Sequence, residues 1–211
     1  MSPNIKIAVD KLKIMIYNMK HKLIKRDDMT ASKNNIYVLT KVSFCVALLC
    51  ISAYIVIPLP FSPIMITAQT IIINLIALIL TPKQSFLTVT VYLLIGICGL
   101  PVFSGAVGGI GKLLGPTGGF LLGFLVIAPL ISLLKGKNIN ILRYSAFTVL
   151  IGMPLLYLCG TAFMCLVHGM DVKTALMAAV VPFILGDVLK CVFASFIAAT
   201  LNKALQKANL A

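Results

Sequence analysis

Glutamate and tryptophan are absent from this chain, and the five acidic residues are all Asp. Two His complete the short supply of metal-ligating and proton-transferring groups. From so few carboxylates and imidazoles neither a metal cluster nor a Ser/His/Asp set can be assembled. The chain therefore reads as no enzyme and as holding no cofactor or metal. No C-x-x-C pair occurs either: Cys45, Cys50, Cys98, Cys159, Cys165 and Cys191 stand apart, most of them inside apolar stretches. They read as small buried packing residues rather than as thiol ligands or a disulfide framework. Charge of any sign is sparse, at 11% of residues, where an ordinary soluble domain carries about a quarter.

Hydrocarbon takes the place of charge. Hydrophobic residues make up 60% of the chain, and its mean hydropathy is +1.08. Apolar segments run over about 37–57, 66–80, 85–97, 117–134, 144–167 and 174–202. The breaks between them are "PLPFSP", "TPKQ", a Gly/Pro-rich stretch over 98–119, "KGKNINILR" and "HGMDVK". Long runs with few charges read as membrane spans. The expectation is an all-α polytopic membrane protein: six transmembrane helices over 37–202, a basic extension over 1–36 and a cytoplasmic tail over 203–211. The second and third segments are short for a span of about 20 residues, so they are tilted, capped by loops or partly buried in protein.

The formal net charge of +13 does not point to nucleic acid, because Lys and Arg gather in the N-terminal extension and between apolar runs. There they set orientation. With the N-terminus inside, the cytoplasmic side holds Lys33, Lys41, Lys83, Lys135, Lys137, Arg143, Lys203 and Lys207, and the outside only Lys112 and Lys173. Both termini are thus expected in the cytoplasm of a cell-membrane protein, with loop 98–116 outside and the lipid bilayer as first partner. In the extension, Ile5, Val9, Leu12, Ile16, Met19 and Leu23 recur at roughly helical spacing with Lys on the other face. That suits a helix lying on an anionic membrane surface; a disordered tail, or translation starting at Met29, fits the same residues.

The stretch "GGIGKLLGPTGGFLLGF", Gly108 to Phe124, interrupts the apolar pattern. It is no P-loop: Gly111-Lys112 would need glycine where Ala106 stands and Ser or Thr where Leu113 stands. Nor is it a dinucleotide fingerprint, since Leu114 follows Gly109-x-Gly111 where a third glycine belongs. Glycines let backbone approach a ligand closely, Pro116 stiffens the turn, and Thr117 is placed to cap the next helix. That helix would point its free N–H groups at whatever lies above it. The segment reads as lid or wall of an outward-opening pocket; a packed re-entrant turn without ligand is the plainer alternative. Asp187 and Lys190 in "PFILGDVLKCVF" lie three apart, on one helix face. Charges inside a span are costly and face a cavity or a partner. A polar floor for a ligand fits, and so does a structural ion pair. Gln69, Asn74, Tyr92, Tyr157 and Thr161 are single polar residues within spans, where interhelical hydrogen bonds are the commoner use; Gln69 and Tyr157 stand out by their neighbours.

The series "IPLPFSPIMITAQT", "LTVTVYLLIGICGLPVFSGAVGGIGKLLGPTGGFLLGF", "LLYLCG" and "PFILGDVLK", in order over about Val42 to Asn202, resembles the BioY family, the biotin-binding S components of energy-coupling factor (ECF) transporters. The resemblance implies a six-helix membrane fold with an external biotin pocket, walled by the loop over Gly105 to Gly119 and by polar contacts from the sixth helix. It puts Asp187 and Lys190 first among substrate-binding residues, with Gly115, Pro116, Thr117, Gly118, Gly119, Gln69 and Tyr157 next. Phe103, Leu113 and Leu114 are expected as apolar walls for the thiophane ring and the aliphatic tail. Partners implied are a coupling transmembrane protein and two ATPase subunits, since the chain has no nucleotide motif of its own. The family docks its coupling protein through small residues on the first helix, often Ala-x-x-x-Ala. Here the nearest spacings are Ser43/Ala47 and Val46/Cys50, a departure from that pattern. Two other readings stay open: a self-sufficient secondary biotin transporter with Asp187 as proton carrier, and an S component for another vitamin. Asp187 suits only the ureido N–H groups, whereas Lys190 suits either end of biotin.

Overall fold

A computed structural model describes residues 36–60, 62–136 and 138–208. The surface-helix or disordered-tail expectation for 1–36 lies, but for Ile36, outside the described residues. The chain divides into two compact units, 1–41 and 42–211. In the first, the Thr40 hydroxyl donates to the Ile36 carbonyl at 2.9 Å and the Lys41 ammonium sits 4.3 Å above the Tyr37 ring. The second unit carries every element after the first helix.

Helix α1 (Ile36–Ser52) is followed by a two-residue antiparallel ladder. Strand β1 (Val56–Ile57) and strand β2 (Ile66–Thr67) pair Val56 with Thr67 and Ile57 with Ile66. Then come α2 (Gln69–Ile79), α3 (Pro82–Ile97), α4 (Ile110–Leu114) and α5 (Gly118–Leu134). Helix α6 (Ile141–Phe147) passes through a π-helical turn, Thr148–Gly152, into α7 (Met153–His168); α8 (Val172–Ala179) and α9 (Ile184–Lys207) complete the order. Among the described residues the regular structure is thus helical apart from the small ladder and an isolated bridge between Phe103 and Val107. The continuous helix Ile141–His168, of 28 residues, and α9, of 24, are long and apolar enough to cross a bilayer. Helix α2, with 11 residues, covers only about 16 Å at 1.5 Å per residue.

Element boundaries follow from local chemistry. Pro82 opens α3 at its first turn, and Gln84 Oε1 accepts from the Thr81 N–H at 3.2 Å, the reciprocal half of a capping box. Asn140 starts α6 by accepting from the backbone N–H groups of Leu142 and Arg143 at 2.9 and 3.4 Å. The fifth apolar segment therefore begins before the residue 144 that hydropathy alone marks. The sixth segment, expected as one helix over 174–202, is two: α8 stops at Ala179 and α9 starts at Ile184. Pro182 between them has no N–H to donate and disfavours helical geometry at Val181. Helix α9 runs on to Lys207, so the tail set at 203–211 begins inside a helix.

Helix α5 packs against α2, α3 and α7, and α2 against α9. Ile76, Ala77, Leu78, Val89, Ile127, Ala128 and Ile131 are buried between them. Glycines let α5 and α7 approach: a Cβ at Gly119 would lie 2.4 Å from Phe163 Cβ and 2.6 Å from the Cys159 carbonyl oxygen. One at Gly160 would meet the Phe120 ring at 2.1 Å. Leu142, Leu150, Leu166 and Leu185 point outward and are exposed, the surface a lipid-facing bundle presents. At the C-terminal end of α2, Lys135 Nζ donates to the Leu78 and Leu80 carbonyls at 2.9 and 2.6 Å, and Asn202 Nδ2 to Leu78 at 3.0 Å. These side chains satisfy carbonyls that a helix end leaves unpaired, and the ammonium suits the negative pole there.

Gly119→Val should therefore cost about 1–3 kcal/mol or more through overpacking. In thermal unfolding of the detergent-purified protein its midpoint should fall by several degrees. Gly111→Ala, whose added Cβ would meet nothing within 4 Å, should leave the midpoint unchanged. An unshifted midpoint for Gly119→Val would contradict the close α5–α7 packing.

Candidate ligand-binding site

The β1–β2 turn, the α3–α4 loop, the N-terminal halves of α2, α5 and α9, one residue of α7 and the last residue of α8 line a partly open cavity, with about 540 Å³ of non-atom space when the solvent at its mouth is included. Its apolar wall is Phe120, Leu121 and Phe124 of α5 with Leu156 of α7 and Phe183 just before α9. Its polar positions are Thr67 of β2, Gln69 and Thr70 of α2, Ser104 of the α3–α4 loop, Thr117, Asp187 and Lys190. A second, smaller recess adjoins it, sharing Thr70, Phe124, Leu156 and Asp187 and adding Asn74 and Cys191. Asn74 Nδ2 lies 3.5 Å from Cys191 Sγ there.

Asp187 and Lys190 face the same way because they are three residues apart on α9, and Asp187 sits in its first turn, where the positive end of the helix favours a carboxylate. Lys190 Nζ donates to Asp187 Oδ1 at 2.9 Å, and the Tyr157 hydroxyl donates to Asp187 Oδ2 at 2.8 Å. The side chains are 15% and 8% exposed for Lys190 and Asp187. Both sequence readings thus hold at once: the two charges are an ion pair, and the pair lines the cavity. The ammonium keeps two of its three N–H groups for another acceptor, and each carboxylate oxygen keeps a lone pair for another donor.

On α2, Gln69 Nε2 donates to the Tyr92 hydroxyl at 2.6 Å, and Tyr92 donates to the Val102 carbonyl at 3.1 Å. The Tyr92 ring is fully buried and meets the Phe103 ring edge-on, with centroids 5.6 Å apart and planes at 80°. Phe103 in turn lies over Gly96, where a Cβ would come within 2.1 Å of it.

Of the residues expected at the site, Asp187, Lys190, Gln69 and Thr117 line the cavity, and Tyr157 stands behind Asp187 as its hydrogen-bond donor. Phe103 is in the core against Tyr92 rather than on the cavity wall. Gly115, Pro116, Gly118 and Gly119 also lie off the wall. Gly118 lies against the Leu113 carbonyl and Gly119 against α7, so these glycines serve helix packing. Leu113 packs into the core and Leu114 is exposed. Lys112, the basic residue of the same loop, is off the cavity as well, and burial pulls its ammonium below the usual lysine range.

Thr117 departs from expectation in an informative way. It occupies the N-cap position of α5 but makes no side-chain cap, because its backbone at φ −85° and ψ −6° is helical, and a capping side chain needs the extended conformation. Its Oγ1 is buried and has no hydrogen-bond partner among the described residues. The hydroxyl belongs to a residue of the cavity wall instead. The cavity's aromatic wall escaped the sequence reading. Its signal was legible: Phe120 and Phe124 follow Thr117 at three and seven residues, the spacing of one helix face.

The chain matches the model of the BioY family over residues 20–207. That match begins well before Val42 and takes in part of the segment set apart as an extension. Biotin transporter BioY2 of Lactococcus lactis subsp. cremoris is 32% identical over 178 residues, which is 82% of this chain and 94% of that one. Biotin transporter BioY of Thermotoga maritima is 38% identical over 165 residues, 78% of this chain and 95% of that one. Among solved structures, the S-component for biotin from an ECF-type ABC transporter superposes with a TM-score of 0.74 at 28% identity, over 80% of this chain and 92% of that chain. A family match across most of the sequence, relatives matched over nearly their whole length and the shared helical architecture lead to one conclusion: this chain belongs to the BioY family.

Proposed function

We propose that this chain is the biotin-binding S component of an ECF transporter, a membrane subunit that captures biotin for uptake and is energised by partner subunits. The observation that carries this reading is the cavity floored by the Asp187–Lys190 pair in a chain of this family. Biotin offers two ureido N–H donors, a ureido carbonyl, a carboxylate and an apolar thiophane ring and tail. The cavity answers with acceptors on Asp187, donors on Lys190 and Thr117, and the rings of Phe120, Phe124 and Phe183. Substrate contact is assigned to Asp187, Lys190, Gln69 and Thr117, with Tyr157 holding Asp187 in place. Gly115, Pro116, Gly118, Gly119 and Phe103 shape the pocket from behind.

The protein is a membrane protein. Its helices cross the cell membrane six times, with both termini cytoplasmic and loop 98–116 outside, as the Lys/Arg asymmetry supports. Energy comes from a coupling transmembrane protein and two ATPase subunits, because the sequence carries no nucleotide loop.

The isolated protein should bind biotin in the nanomolar class, about −12 kcal/mol. Titration calorimetry with biotin, riboflavin and thiamine tests this; tighter binding of riboflavin or thiamine would assign another vitamin. Asp187→Asn and Lys190→Met should each weaken biotin binding by about 1.5–3 kcal/mol, roughly ten- to hundredfold. If the pair were only structural, each single change would strand a buried charge and the double variant would recover both folding and affinity. The expected result is a double variant that folds and still binds weakly. For orientation, single cysteines at Ser104 and Lys137 on a cysteine-free background should be labelled from outside and protected, respectively. The reverse pattern would invert the topology.

A further inference from the structure

The polar chain behind the α2 side of the cavity has a direction, and the direction determines what the cavity offers. The Val102 carbonyl can only accept. Tyr92 has a single hydroxyl proton and gives it to Val102 at 3.1 Å. At its 2.6 Å contact with Gln69 the tyrosine oxygen must then accept, so Gln69 must turn its NH2 group towards Tyr92. The opposite amide orientation would require Tyr92 to donate to Gln69 and would leave the Val102 carbonyl, in a buried residue, without this donor. With the amide so fixed, Oε1 is the acceptor that Gln69 keeps, and it has no partner among the described residues. Gln69 is itself a residue of the cavity wall.

Geometry holds this arrangement in place. Tyr92 is fully buried, and its ring is held edge-on by Phe103, which Gly96 admits. Val102 belongs to the loop that reaches the cavity two residues later at Ser104. Phe103 pairs its backbone with Val107, N–H to carbonyl at 2.9 Å and back at 3.3 Å. The loop's backbone thus fixes Tyr92, and Tyr92 fixes Gln69.

We propose that Tyr92 is a positioning residue for ligand selectivity: through Val102 and Gln69 it holds the Gln69 carbonyl oxygen as an acceptor for a ligand N–H. This rests on the biotin reading, where that N–H is one of the two ureido groups. It adds an acceptor on α2 to the cavity that the pair Asp187–Lys190 on α9 also lines. A ligand with oxygen in place of that N–H would set two acceptors against each other.

The test uses the full chain in lipid nanodiscs and two cyclic carbamate analogues of biotin, each with one ureido N–H replaced by oxygen. Wild type should prefer biotin over at least one analogue. Tyr92→Phe frees the Gln69 amide to rotate and present its NH2. Its biotin affinity should fall roughly three- to tenfold, and its preference over that analogue should shrink by more, because the analogue gains a donor. A change confined to packing would weaken biotin and analogue alike. Gln69→Met, close in length, should remove the same preference, and adding Tyr92→Phe to it should change the preference no further. Should Tyr92→Phe fold poorly, the analogue comparison on wild type and Gln69→Met still decides. Biotin bound by wild type with an unaltered preference in Tyr92→Phe, or in Gln69→Met, would overturn the relay alone. Absence of biotin binding by wild type would overturn the biotin reading on which it rests.

Discussion

The Asp187 carboxylate, held by Lys190 from its own helix and by Tyr157 from α7, is the interaction on which the site depends. A bundle with an apolar exterior cannot solvate a charge from outside, so the protein must supply every partner. One broken contact strands a buried ion, which is more costly than removing the pair altogether. A pair of this kind adds little to stability compared with an apolar replacement. Its place at the cavity, with donors and lone pairs still unused, is what a polar ligand requires.

The remaining architecture keeps that pair at the edge of a hollow instead of inside a filled core. Gly119 and Gly160 bring α5 and α7 into contact, which sets Phe120, Phe124 and Leu156 around the empty space. Pro182 breaks the last apolar run, so that α9 begins with its first turn, and Asp187 in it, at the cavity. At the other end, Lys135 and Asn202 close the carbonyls of α2, fixing the helix whose opposite end carries Gln69.

How much of this was legible in the sequence depends on the kind of signal. Hydropathy marks the apolar helices because each must be greasy along its length, and two charges within the last of them announce the polar site. The resemblance carried by "GLPVFSG" and "LGDVLK" names the family. Glycine is less readable: the pattern around Gly115 to Gly119 signals close approach, but not of what, and the close neighbours turn out to be Leu113 and α7 rather than the cavity. Thr117 looked like a cap because capping rules assume an extended N-cap residue, and the backbone there is helical. Phe103 looked like a wall by its hydrophobicity, yet Gly96 leaves it a place in the core. The direction of the Tyr92 relay needs the Val102 carbonyl, a backbone group that no side-chain pattern reveals.

A structure of the biotin-loaded protein in a lipid nanodisc tests the central claim most directly. The account predicts biotin between α2, α5 and α9, with a polar atom about 2.7–3.2 Å from Asp187 or Lys190 and its apolar ring against Phe120 and Phe124. Biotin seated elsewhere, with the cavity empty and the Asp187–Lys190 pair untouched, would contradict it.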